Sequence, residues 1–376
     1  MSTTSQRRTQ FIVTTILLVL ITARPVHAQK DEALFDSIWK RAILFSDPAN
    51  PVIQEFKLRG RYHGQYHWTE SDDAQHHGWD DRRSRFGFDA KLFGGQLELR
   101  LDAQSTDGFD PFYGGLVDAY FKWKPSSDFS LTVGRQKVQI GAFDFVQASH
   151  YYPTFERSQI FGQLKVDRTA GIVAEGKRGT LSWQSGVYSN DIDDELGQFT
   201  SGAAFGAGVG QDWAESIGYK KALWRLDYLF SDVRDDSSTL NRYAHILSAT
   251  LWLAKGRYGF VAEAFGGTGS DEDVAGFYVL PTYDLIPEKL QLAGRYTLSF
   301  GDGSKSLSPQ KRYEAVVFGS DSKGDQYQAG YLGLQYFIYG DKLKLMAGAE
   351  YARLSGGADG SSRSSWTALT GVRFFF

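Results

Sequence analysis

From about Phe56 to the C-terminal Phe376, apolar and polar residues alternate with period two in segments of about ten residues, the length of a tilted membrane-crossing strand. Leu97, Leu99, Leu101 and Ala103 alternate with Glu98, Arg100, Asp102 and Gln104. Ala119, Phe121 and Trp123 alternate with Tyr120, Lys122 and Lys124, and Trp224, Leu226, Tyr228 and Phe230 with Arg225, Asp227 and Leu229. The pattern recurs at 290–300, 343–351 and 366–376. Roughly sixteen such segments are present, an even number suited to a closed antiparallel barrel.

The connections alternate in length. Turn-forming residues mark tight links at 93–95, 125–128, 177–179, 220–221, 255–256, 286–288 and 339–341. Longer polar stretches fall between them at 69–81, 105–114, 141–167, 190–209, 232–241, 266–273, 301–324 and 355–364. This interleaving predicts an all-β transmembrane barrel of about sixteen strands, with short periplasmic turns, long extracellular loops and both termini on the turn side. A soluble sandwich is the competing architecture. Aromatics near both ends of the apolar faces, such as Trp68, Phe93, Trp123, Phe129 and Trp366, place those faces at lipid interfaces instead. The terminal strand ends Arg373-Phe-Phe-Phe376, a tail similar to the assembly signal of bacterial outer-membrane proteins.

Before the barrel the pattern changes twice. Leu34, Phe35, Ile38, Trp39, Ala42, Ile43 and Phe45 recur at helical spacing, with Asp47-Pro48 after them, so residues 29–52 are expected to carry a short helix at the periplasmic rim. Residues 1–28 have Arg7 and Arg8, an apolar run from Phe11 to Ile21 and the exit Val26-His27-Ala28, as an export signal does. Residues 53–376 then form the barrel. Cleavage after Ala28 removes three Arg and no acid, leaving 38 Lys and Arg against 44 Asp and Glu, a net charge of about −6. The absence of cysteine excludes disulfides, thiolate metal sites and cysteine nucleophiles.

If the apolar positions face lipid, the others face a water-filled lumen. On the first strand Lys57, Arg59, Arg61, His63, Gln65 and His67 point inward; on its hairpin partner Arg83, Arg85, Asp89 and Lys91 do. Lys57, Arg59, Arg61, Arg83, Arg85 and Lys91 are therefore the candidate anion-binding wall, because like charges confined by low-dielectric walls concentrate counter-ions. Glu98, Asp102, Asp118 and Asp227 would face it as an acidic half. The stretch from Gly141 to Asp167 is long and aromatic, and is expected to fold inward as a constriction shaped by Arg135, Lys137, Arg157 and Lys165. Guanidinium forks suit oxyanions through paired hydrogen bonds.

Other constellations point elsewhere. His63, His67, His76 and His77 form one histidine group without a fixed acidic ligand, and no metal or cofactor is expected there. The acids at 72, 73, 80 and 81, and at 191 and 193–195, are read as solvated loops that can meet lipopolysaccharide cations. His150 and His245 lack the Ser or Asp partner a barrel hydrolase needs, so no enzyme activity is expected.

The run from Tyr113 through Ala119-Tyr-Phe-Lys-Trp-Lys-Pro125, then Phe129-Ser-Leu-Thr-Val-Gly-Arg-Gln-Lys-Val-Gln-Ile-Gly141 and Thr154-Phe-Glu-Arg-Ser158, resembles the phosphate-selective porin O and P family. The resemblance implies a sixteen-strand barrel in the outer membrane of a Gram-negative-type bacterium, a homotrimer, and passage of phosphate or polyphosphate past Arg and Lys. The expected partners are thus small anions, outer-membrane lipid and lipopolysaccharide, and not nucleic acid. Phosphate-transporting members carry an arginine ladder in mid-barrel; here residues 213–230 offer only Lys220, Lys221 and Arg225. The alternative solutes are acidic oligosaccharides or a general set with weak charge preference.

Overall fold

The computed structural model describes residues 28–376 except 193, 233–239, 241, 270–271 and 359; the expected export signal lies outside the described residues but for Ala28. Alternation decides the architecture, since each segment can satisfy its backbone only by pairing on both edges. Sixteen antiparallel strands, β2 to β17, pair in chain order from β2 (Ile53–Ser71) and β3 (Gln75–Leu92) to β17 (Arg363–Phe375), and β17 closes the barrel on β2.

Every tight link reads out as a turn on one rim, the link at 220–221 widened to 213–220 by a one-turn helix, Ala214–Ile217. Two expected loops are shorter. Residues 69–81 are almost wholly strand, since β2 and β3 extend for 19 and 18 residues and meet across 72–74; the loop from 190 ends where β9 (Ala203–Asp212) begins. Alternation was hidden there by polar side chains such as Glu70, His76 and Asp80, which sit on a ribbon standing above the neighbouring wall. The wall is low beside it: β4 (Leu97–Gln104) has 8 residues and reaches only Arg85–Leu92 of β3.

The N-terminal segment also departs from expectation. The helix covers Ala28–Lys40, and residues 43–46, read as its continuation, form the strand β1 (Ile43–Ser46) on β2. The reason is the edge that β17 leaves open. Phe376 and Gly60 exchange backbone hydrogen bonds, and below them Leu58 N donates to Ala42 O, so β1 continues the wall where the last strand stops. The Phe376 ring lies across Gly60, at a place where any Cβ would collide with it. The helix is held to the turn rim by the Phe35 and Trp39 rings against Tyr339, and by Trp39 Nε1 donating to Phe375 O at 2.6 Å.

Candidate functional site

The 30-residue connection between β6 (Phe129–Lys137) and β7 (Arg168–Arg178) folds into the lumen, as its aromatic content predicted. It packs against one half of the wall. Val138, Ile140, Phe143, Phe145, Tyr152 and Leu164 join Tyr188, Leu229, Ile246, Val261, Phe265 and Tyr278 in one buried apolar cluster. Each fully buried Leu or Phe there contributes about 1.5–3 kcal/mol.

Polar clamps fix the loop at both ends of that contact. Glu263 accepts from the backbone N–H of Phe143 and Asp144, both at 2.7 Å, and Asp227 accepts from Gly141 N at 3.1 Å. Asp227 thus anchors the loop instead of facing a basic strip. On the other side Arg373 donates to the carbonyls of Ser149, Tyr152, Thr154 and Phe155, while Arg295 donates to Thr154 Oγ1 and Glu156 O. Burial alone would push the Glu156 carboxyl up, but Arg82 and Arg83 hold it below the usual carboxylate range. Its two oxygens accept from Arg82 at 2.7 and 2.8 Å.

With one half filled, the open lumen is an eccentric cavity of about 910 Å³ between the loop and the wall from β2 to β7. Twelve Lys and Arg side chains line it against five Asp and Glu, so the path is basic although the chain is acidic. Lys57, Arg59, Arg61, Arg83 and Arg85 all face it, as do Lys137 and Arg157 of the expected constriction.

These cations divide by their partners. Arg59 is held by Asp89 at 2.8 Å and Asp102 at 2.9 Å, Arg100 by Asp89 at 2.8 Å, and Arg168 by Asp118 at 2.8 Å. The acids Asp102 and Asp118 therefore sit beside the basic strip and not across from it, and Glu98 pairs with Lys124 at 2.6 Å. Lys137 Nζ is absorbed by the carbonyls of Phe145, Val146 and Gln147 at 2.8–3.1 Å. Arg61, Arg83, Arg85 and Arg157 have no carboxylate within ion-pair reach among the described residues. Arg61 only touches Ser149 Oγ at 3.4 Å, Arg157 gives one nitrogen to Gln147 O, and Arg61 Nε, Arg85 Nε and Arg157 Nη1 are buried without a partner.

Three expected site residues lie elsewhere. Lys91 is at the turn rim, half-exposed and paired with Glu55 at 3.0 Å. Arg135 shares the outward face of β6 with Leu131 and Val133, donates to Leu116 O on the neighbouring strand at 3.0 Å, and ties down the loop before β9 through the carbonyls of Asp194 and Glu195 at 3.2 Å. Lys165 is exposed at the end of the loop helix Gln159–Leu164, in a left-handed conformation that turns it from the cavity. Conversely Arg82 was missed. A β-bulge between the pairs His63↔Arg83 and Gln65↔Asp80 adds a residue to β3, so both Arg82 and Arg83 face inward where strict alternation admits one.

His67 contacts His76 at 2.9 Å and Asp80 at 3.3 Å, and no group of three or more His, Asp or Glu that could hold a metal ion is found among the described residues. His150 packs on Phe375, and His245 bonds Tyr228 Oη at 2.6 Å.

A closed sixteen-strand barrel whose lumen is narrowed by an inward-folded loop defines an outer-membrane porin of the Gram-negative type. Residues 56–213 match the family model "Phosphate-selective porin O and P", which bears out the resemblance read from residues 113–158. No curated protein matches the chain. Among solved structures the chain is similar to OprB of Pseudomonas putida (12% identity, 85% of this chain and 94% of that one, TM-score 0.63). It is also similar to an anion-selective porin from Comamonas acidovorans (12% identity, 85% and 99%, TM-score 0.58) and to the outer-membrane channel DcaP of Acinetobacter baumannii (14% identity, 89% and 100%, TM-score 0.58). At these identities the likeness concerns the fold.

Proposed function

We propose that this porin is a passive, non-enzymatic channel selective for anions, with phosphate or similar small oxyanions as its solutes. The observation that carries this reading is the set of four guanidinium groups, Arg61, Arg83, Arg85 and Arg157, facing one cavity without carboxylates to neutralise them. An anion about 5 Å from one such group gains about 3 kcal/mol at an effective dielectric constant of about 20, and forked donors favour oxygen anions over halides. The family match and the name of the Comamonas relative point the same way. Acidic oligosaccharides are the second reading, favoured by the aromatics along the cavity.

Assembly as a homotrimer in a lipopolysaccharide-containing membrane, after removal of residues 1–28, belongs to the same proposal. The low wall supports it: residues 75–84 of β3 have no strand on the β4 side among the described residues, and Trp79 and Phe112 are exposed beside that edge. Ser105 N donates to Ser84 O and Asp81 N to Asp107 Oδ1, so the edge is partly covered, and its open remainder suits a second subunit better than lipid.

The solute is tested by adding phosphate to the purified protein in a planar bilayer bathed in KCl. The expected result is a falling chloride current that saturates with phosphate concentration. A current indifferent to phosphate would remove the oxyanion preference.

A further inference from the structure

The unpaired arginines do not stand alone in the cavity. Across one register row Phe375 of β17 lies beside Arg61 of β2, which lies beside Arg85 of β3. The inward loop lays its own rings over the end of that row. His150 covers Phe375 with ring centroids 3.7 Å apart, and Tyr151 meets His150 at 4.1 Å and stands edge-on to Phe375 at 5.9 Å. His150 is buried by this packing, whereas Tyr151 keeps 46% of its surface exposed and lines the same cavity as Arg61 and Arg85.

The exposed face of Tyr151 is open to a solute's ring, and it shares the cavity with Arg61 and Arg85, two guanidinium forks without a carboxylate partner among the described residues. Inorganic oxyanions can use the forks but not the ring. A flat ring bearing a carboxylate can use both at once: the carboxylate accepts from Arg61 or Arg85, and the ring lies on Tyr151. The cavity has room for such a molecule, since its volume of about 910 Å³ falls in the range of small-molecule sites.

Resting on the anion-selective reading above, we infer that the constriction takes carboxylates carried on a flat ring in preference to aliphatic carboxylates of equal charge. Tyr151 supplies the shelf, backed by His150 and Phe375, and Arg61 with Arg85 supplies the charge recognition.

The test compares potassium benzoate with potassium acetate as blockers of chloride current through the full mature chain in planar bilayers. Benzoate is expected to halve the current at a concentration about fivefold below that of acetate, the size of one aromatic contact. Tyr151→Ala is expected to bring benzoate to the acetate level, and Tyr151→Phe to keep the gap. Equal block by the two salts in the native chain overturns the inference, as does a gap that survives Tyr151→Ala. The reading beneath it fails separately: a native channel that does not prefer chloride over potassium refutes anion selectivity itself, whatever the two blockers do.

Discussion

Replacing Arg61 and Arg85 together by Glu is expected to turn the channel from anion-selective to cation-selective. The two residues are register partners on β2 and β3, both face the cavity, and neither has a carboxylate partner. Exchanging two positive for two negative charges at the narrowing changes the energy of a passing ion by several kcal/mol, because each nearby charge is worth about 3 kcal/mol at about 5 Å and an effective dielectric constant of about 20. The ratio of chloride to potassium permeability should therefore fall by well over about tenfold, read from reversal potentials under a KCl gradient. Arg59 would make a poorer target, since Asp89 and Asp102 already neutralise it. Lys91→Glu should change the ratio little, because Lys91 lies outside the cavity. If the double variant keeps its anion preference, the unpaired arginines are not the selectivity element.

Arg373→Gln is expected to loosen the constriction without touching the pore wall. Arg373 is fully buried and spends its guanidinium on four loop carbonyls, from Ser149 to Phe155. Hydrogen bonds from a charged donor contribute about 1.5–3 kcal/mol each, and glutamine restores at most two, neutral ones. The segment that carries Tyr151 and leads into Arg157 then loses its main hold on β17. Single-channel conductance should rise, the open level should become noisier, and anion preference should weaken because the loop no longer holds Arg157 in the cavity that Arg61 lines. Unchanged conductance and selectivity would show that Glu263, Asp227 and the buried aromatic cluster suffice to hold the loop.

The barrel was legible because its signal is repeated: each strand carries the same two-residue period, and each turn the same Gly, Pro, Ser, Asp or Lys chemistry. One misread segment, such as the β2–β3 ribbon around His76, does not change the count. Site residues have no such redundancy. The inward face of Lys57, Arg59, Arg61, Arg83 and Arg85 was legible because alternation alone decides it. Arg82 was missed because one bulge shifts the register, and Arg135 was misassigned because its parity points outward while its position before the loop suggested a narrowing.

Pairing is a further layer that the sequence does not display. Asp102 and Asp118 lie on the inward face as expected, yet only the three-dimensional register shows them beside Arg59 and Arg168, leaving other arginines free. Arg373 looked like part of a terminal signature; its contacts with residues 149–155 cross most of the chain length, and no local pattern announces them.

The reversal potential of the native chain in a planar bilayer under a KCl gradient tests the central claim most directly. A potential close to the chloride equilibrium value is the predicted result, since Arg61, Arg83, Arg85 and Arg157 face the open path without carboxylate partners among the described residues. A potential on the potassium side, or at zero, would contradict it.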